Sequence, residues 1–326
     1  MTETKDYSVI GQSLPRVDGV EKVRGRAVYA TDFHLHGMLY AKMLWSDRVH
    51  ARIKRIDATQ ALALPGVHAF VSAADAPGTR YGVYLQDETI FARDKVRHIG
   101  ERVGAIAADS EALAEAALKL VEIEYEDLPA VFDAVEAMQP GAPLIHPDVE
   151  SYGAVYPKIT DGNVCMFTRL RIGDMQAGFA EAEHIFEDTF QTQVMYQGYI
   201  EPRAVVAGFD MGDKLTVWTS NQQISECHKE LAAALDMPMT KVRVVGTALG
   251  GGFGGKLKTH LEPAVALLAL KTGRPVKMVL TREEDMIASR ARPPYTIKIK
   301  IGVSTHGRIT AKDVELIADA GGFSDH

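Results

Sequence analysis

The stretch Leu249-Gly250-Gly251-Gly252-Phe253-Gly254-Gly255-Lys256 constrains this chain more than any other. Five glycines fall within six positions, around one aromatic residue. Upstream, residues 241–245 alternate like a short strand. Downstream, residues 259–270 are rich in Ala and Leu and predict a helix that stops at Gly273, ahead of Pro275. A glycine loop therefore joins a strand to a helix. Glycine permits positive φ and lets a backbone approach a ligand closely. The N–H groups at a following helix start favour an anion, usually a phosphate. A tight turn without a ligand would need only one or two glycines.

Two phosphate-loop patterns compete for this stretch. The P-loop pattern is met from Gly250 to Lys256 and fails at Leu257, where a magnesium-holding hydroxyl should stand. The dinucleotide pattern is met by Gly250, Gly252 and Gly255. Its ribose-binding acid would be Glu283 or Glu284, after the strand predicted at 276–280, well beyond the usual spacing of about 20 residues. Either pattern would make the chain a nucleotide-dependent dehydrogenase or a relative of one. Neither accounts for Phe253.

A third reading does. Gly-Gly-Gly-Phe-Gly-Gly-Lys resembles the loop of the xanthine dehydrogenase and aldehyde oxidoreductase family, in the large molybdopterin-binding subunit. The resemblance implies that Gly251, Gly252, Phe253 and Gly254 lie against a molybdenum cofactor, with Phe253 at the metal centre. It also implies a glutamine that faces the molybdenum from a strand-to-helix junction. Aligned without gaps, that glutamine is Gln222, in Ser220-Asn221-Gln222-Gln223, 31 residues before Phe253. A neutral amide suits the role because it donates a hydrogen bond without adding charge. The other reading of Gln222 is a helix cap, with Gln223 as the adjacent candidate for the site.

The rest of the chain fits this resemblance from about Gly11 onward. Residues 38–45, 69–72, 103–108 and 121–125 predict strands, and 110–120 predicts a helix capped by Ser110. Phrases such as Gly25-Arg26-Ala27-Val28-Tyr29 and His98-Ile99-Gly100-Glu101-Arg102 resemble the family's first domain. The expected fold is α+β. A small α/β hammerhead-like domain would occupy 1–138, with a Pro-, Gly- and Asp-rich linker over 139–163. The first part of a molybdenum-cofactor-binding domain would fill 164–326. In that part, 174–182 and 224–235 predict helices, 185–194 and 215–219 predict strands, and 296–303 with 309–317 predict a hairpin. Glu201, before Pro202, reads equally as a solvated turn residue or an active-site group. His146, alone beside prolines, reads as a solvated loop residue.

Composition narrows the class. A formal net charge of −7 argues against a nucleic-acid backbone binder. The two cysteines form no metal-spaced pair and suit a reducing cytoplasm. The start of the chain carries no apolar signal segment, and no apolar run approaches the roughly 18 residues of a membrane span. Iron–sulfur clusters need sets of cysteines that this chain lacks. The resemblance therefore implies a 2Fe-2S subunit and an FAD subunit as partners.

The family's molybdenum subunit continues well beyond the length seen here, and the glutamate that acts as general base lies in that continuation. No residue here is assigned that role. The expectation is a companion carrying the C-terminal half, with an inert truncation or a non-catalytic assembly protein as the other reading. Bacterial members commonly use the cytosine dinucleotide form of molybdopterin. In xanthine-specific relatives a glutamate follows the loop lysine; here Leu257 stands there, which favours an aldehyde or a less polar N-heteroaromatic ring.

Overall fold

The computed structural model describes residues 7–82, 84–154, 162–210 and 212–324. The very start of the chain, residues 155–161 of the expected linker, and the last two residues lie outside the described residues. In chain order the first half holds α1 (Gly19–Val23), β1 (Leu39–Trp45), β2 (Ala51–Asp57), α2 (Thr59–Leu62), β3 (Val67–Ser72) and β4 (Lys95–Val96). Next come β5 (Arg102–Ala108), α3 (Glu111–Leu118), β6 (Glu122–Asp127) and α4 (Ala134–Ala137). The second half holds α5 (Met175–Ala180), β7 (His184–Gln191), β8 (Ala204–Phe209), β9 (Leu215–Thr219), α6 (Ile224–Ala234) and β10 (Val242–Gly246). It closes with α7 (Glu262–Thr272), β11 (Val276–Val279), α8 (Arg282–Ala288), β12 (Tyr295–Val303) and β13 (Ile309–Ala318).

A seven-stranded sheet in the order β10-β9-β8-β11-β1-β5-β3 carries the molecule. Its seam is the parallel pairing of β1 with β11, Leu39 opposite Val276. Strands from both sides of the expected 139–163 boundary thus share one sheet. Helix α7 packs on β8, β3, β11 and β5. It is apolar nearly all round, as a helix enclosed by protein should be, and Ala264 to Ala269 are all buried. It begins at Glu262, three residues later than the sequence pattern suggests, because Pro263 fixes φ at the first turn. It ends where expected, at Gly273 with φ of 65°. Ser110 caps α3 by accepting from the Leu113 N–H.

Two small sheets flank this body. One has the order β4-β2-β6, the other β13-β12-β7. Strand β2 escapes the sequence reading because Arg52, Lys54 and Arg55 break its alternation. The hairpin β12–β13 stands where expected, with β7 added along β12.

His146 corrects the sequence reading. It is not a solvated loop residue. Its ring nitrogens meet the Tyr152 hydroxyl at 3.1 Å and the Gly322 carbonyl at 2.7 Å, and its ring tilts against Phe323. Burial, and then the nearby Arg97 guanidinium, lower its pKa from 6.5 to about 4. The surrounding segment is tied down by Asn163, whose amide donates to the Ala137 and Pro143 carbonyls at 3.0 and 2.9 Å.

Candidate functional site

The glycine stretch folds as a tight turn with a closed inner side. The Gly255 N–H donates to the Gly252 carbonyl at 2.7 Å. Phe253 and Gly254 between them have φ of 51° and 93°. Positive φ at both central residues is the mark of a primed turn. An aromatic in that region costs on the order of 1 kcal/mol, so the surroundings must hold it there. The result of this geometry is exposure: Phe253 projects outward and is 73% exposed.

The other glycines serve the chain itself. A Cβ on Gly252 would lie 2.5 Å from Gln222 Cδ, and one on Gly250 would lie 2.5 Å from Glu201 Cβ. One on Gly255 would meet Tyr199 at 2.7 Å. Gly251, with φ of 100°, needs its freedom for backbone geometry. Three of these glycines thus admit side chains of this same chain, where the sequence reading had a ligand approach the backbone.

Gln222 is part of the loop's wall. Its backbone N–H donates to the Lys256 carbonyl at 2.8 Å. Its Oε1 accepts from the Gly254 and Lys256 N–H groups, both at 3.1 Å. Those two donors need an acceptor, which fixes the amide's orientation and leaves its NH2 as the group facing away from the loop. Gln222 does not cap α6. The N-cap is Gln223, with no side-chain cap, and the Gln223 N–H is taken by Asn221 Oδ1 at 2.7 Å. Asn221 also donates to the Lys258 carbonyl at 3.1 Å, so the junction and the loop are stitched at several points.

Beneath the loop lies a polar floor that the sequence reading largely missed. Glu201 is neither solvated nor at the exposed face. Its Oε2 accepts from the Gly250 N–H at 2.7 Å and from Lys256 Nζ at 2.8 Å. The Lys256 side chain is fully buried, with its ammonium 4.7 Å from the centre of the Tyr199 ring. Burial lowers the Lys256 pKa, and Glu201 opposes that shift. Arg203 donates to the Gly255 carbonyl, to Lys258 O at 3.4 Å and to Ser289 Oγ at 3.2 Å. Buried Asp285 accepts from the Tyr196 and Tyr199 hydroxyls at 3.1 and 3.0 Å. An acid ahead of a proline and an arginine just after it were the visible signals; their target was not.

These contacts dispose of the phosphate-loop readings. The N–H groups of Gly250, Gly254, Gly255 and Lys256 all have partners within the chain. The lysine that should reach phosphates is buried in an ion pair. Helix α7 starts at Glu262, well past the glycines, and its N-terminal region is served by its own acid: the His260 N–H donates to Glu262 Oε2 at 2.7 Å. The structure does bring the candidate residues together. Gln222, Gly252 and Gly254 touch, Gly251 packs by Tyr199 and the Phe253 ring, and Leu257, 37% exposed, flanks Gly254.

Comparison with known proteins places the chain in a family. The molybdopterin cofactor-binding domain family matches residues 156–326. The a/b hammerhead domain of aldehyde oxidase and xanthine dehydrogenase matches residues 24–129. The nicotinate dehydrogenase large molybdopterin subunit of Eubacterium barkeri is 36% identical over 99% of this chain and 73% of its own length. The xanthine dehydrogenase of Drosophila subobscura is 36% identical over 97% of this chain, which spans 22% of that relative. The aldehyde oxidoreductase of Desulfovibrio gigas superposes with a TM-score of 0.85 at 26% identity, over 94% of this chain and 34% of that one. The chain therefore belongs to the aldehyde oxidase and xanthine dehydrogenase family of molybdenum-dependent oxidoreductases, and carries its hammerhead and molybdopterin-binding regions.

Proposed function

We propose that this chain forms part of the molybdenum-binding subunit of a hydroxylase that oxidises an aldehyde or an N-heteroaromatic substrate with oxygen from water. The observation that carries the reading is the Gln222 amide. Its carbonyl is consumed by the Gly254 and Lys256 N–H groups, so its NH2 is presented as an oriented donor in the wall that also exposes Phe253.

A molybdenum–pterin group fits these residues. The donor set is neutral, the loop backbone is preorganised, and an aromatic stands clear of the surface beside it. Gln222, Gly251, Gly252, Phe253 and Gly254 would hold it, and when bound it supplies the two-electron redox centre that the chain lacks. The chain's own part is orientation. Gln222 donates a hydrogen bond toward the group, Phe253 walls the site, and Leu257 offers substrate an apolar contact where a carboxylate would select a polar purine. The general base belongs to a companion carrying the C-terminal half, and electrons leave through 2Fe-2S and FAD subunits. The cytosine dinucleotide form of the cofactor and a cytoplasmic location complete the reading. No helix among the described residues is long and apolar enough to cross a membrane.

The test is coexpression with such companions, followed by metal analysis and turnover. Molybdenum with an organic pterin should copurify. Gln222→Ala should keep the fold and lower turnover roughly tenfold to a thousandfold, the scale of a lost oriented donor. Full turnover in that variant would remove Gln222 from the site.

A further inference from the structure

We propose that Glu201 is a positioning residue, a clamp that holds both ends of the glycine loop and so sets the Phe253 turn and the Gln222 donor. The inference rests on the proposed function for what is positioned, and on geometry alone for the clamp.

The geometry is specific. Glu201 and Gly250 exchange two hydrogen bonds: the Glu201 N–H donates to the Gly250 carbonyl at 3.2 Å, and the Gly250 N–H donates to Glu201 Oε2 at 2.7 Å. The same oxygen accepts from Lys256 Nζ at 2.8 Å. One carboxylate oxygen therefore joins the first and last residues of the stretch 250–256. The turn that carries Phe253 lies between those two anchor points. Gly250 has no side chain, which is what admits Glu201: a Cβ there would sit 2.5 Å from Glu201 Cβ.

The clamp is built in low dielectric. The Lys256 side chain is fully buried and that of Glu201 is 9% exposed. Glu201 Oε1 is buried and has no hydrogen-bond partner among the described residues. A buried acceptor left unsatisfied is costly, so the pairing at Oε2 must be strong enough to keep the group in place. Bringing a charge pair inside is a weak source of stability, because an apolar pair of the same volume does as well. What the pair adds is register. Lys256 is held at its side chain by Glu201 and at its backbone by Gln222, through its N–H at 3.1 Å and its carbonyl at 2.8 Å. A shift of Lys256 would move both backbone contacts, and with them the direction of the Gln222 NH2.

Amide hydrogen exchange on the 326-residue chain tests the clamp without any cofactor. The variants are Glu201→Gln, Lys256→Met and the two combined. Each single change leaves one charge buried without its partner. Each should speed exchange of the Gly250, Gly254 and Lys256 amides about tenfold or more while amides of β8 and α7 stay within about twofold. The double variant removes both charges and with them the tie between the two ends, so its loop amides should also exchange about tenfold faster; recovery to within about threefold of the unsubstituted chain would show that only an unpaired buried charge loosens the loop, and would overturn the clamp. Uniform acceleration across loop and core, or no change at the loop, would overturn the clamp. If a single variant does not fold, the double variant decides: folded with faster loop exchange over a protected core supports the clamp, and any other result overturns it. In the cofactor-loaded enzyme, Glu201→Gln should lower kcat about tenfold with KM within about threefold, the split expected when orientation is lost and binding is not. Molybdenum content of the unsubstituted enzyme judges the proposed function separately, so the two can fail independently.

Discussion

At the scale of residues, the site is a set of short reaches between distant points of the chain. Gln222 separates two roles by atom, with its oxygen holding the loop and its nitrogen facing outward. Gln222→Glu keeps the first role and removes the second. Loop amide exchange should stay as in the unsubstituted chain while turnover falls roughly tenfold or more, which a parallel exchange and kinetic measurement would read. Gly252 is the complementary case. A valine there puts a branched Cβ on the point now 2.5 Å from Gln222 Cδ, so the amide must leave. We expect Gly252→Val to fold with little change in melting temperature, since the Gln222 side chain it displaces is exposed and can swing away, and to lose most of its molybdenum by metal analysis. A variant with full metal content would show that the loop does not touch the cofactor.

At the scale of elements, the β13-β12-β7 sheet has two unlike faces. On one, Lys298 pairs with Glu315 at 2.8 Å, Lys300 pairs with Glu187 at 3.2 Å, and Gly302 allows close packing by the residues around α5. On the other, most cross-strand partners are apolar: Ile297 with Phe190 and Leu316, Ile301 with Phe186, Ile299 with Val314, while Asp188 faces Ile299 and Lys312 faces Ile301. Phe186, Phe190 and Leu316 are 60, 54 and 60% exposed. An apolar face of this kind, on a sheet with open edges, binds hydrophobic probes and other chains. The isolated chain should therefore enhance the fluorescence of an apolar dye, and Phe186→Ser with Leu316→Ser should remove most of that signal. Unchanged dye binding in the double variant would place the sticky surface elsewhere.

At the scale of the whole molecule, His146 joins the segment after α4 to the end of β13's continuation at Gly322 and Phe323. Its folded pKa, lowered to about 4, lies below the ordinary 6.5. Between those values the unfolded chain binds the extra proton, so stability rises with pH there. The contribution is complete above about pH 6.5 and is lost as pH falls toward about 4, on the order of 3 kcal/mol in all. Urea unfolding across that range should show the loss, and His146→Phe should flatten it, since a phenyl ring keeps the packing and has no proton to bind. An equal slope in the variant would assign the pH dependence to other groups.

The sequence by itself determined what is local. Glycine density gave a loop, and periodicity gave β1, β5, α3, α6 and the β12–β13 hairpin close to their observed bounds. Ser110 and Gly273 marked helix ends because a cap acts on its own turn. Gln222 was legible only through the family resemblance, whose gap-free alignment leaves 31 residues to Phe253; the structure sets it beside Gly252 and Gly254. The tertiary structure decided the partners. Glu201 reaches Gly250 from 49 residues away, and the β1–β11 seam pairs Leu39 with Val276. It also decided that Lys256 faces inward to a carboxylate and that His146 is half-buried with both ring nitrogens paired. The physical reason is the same in each case. Backbone dihedrals and side-chain periodicity follow from neighbours along the chain, whereas the acceptor a buried donor finds depends on which distant segments the core brings into contact.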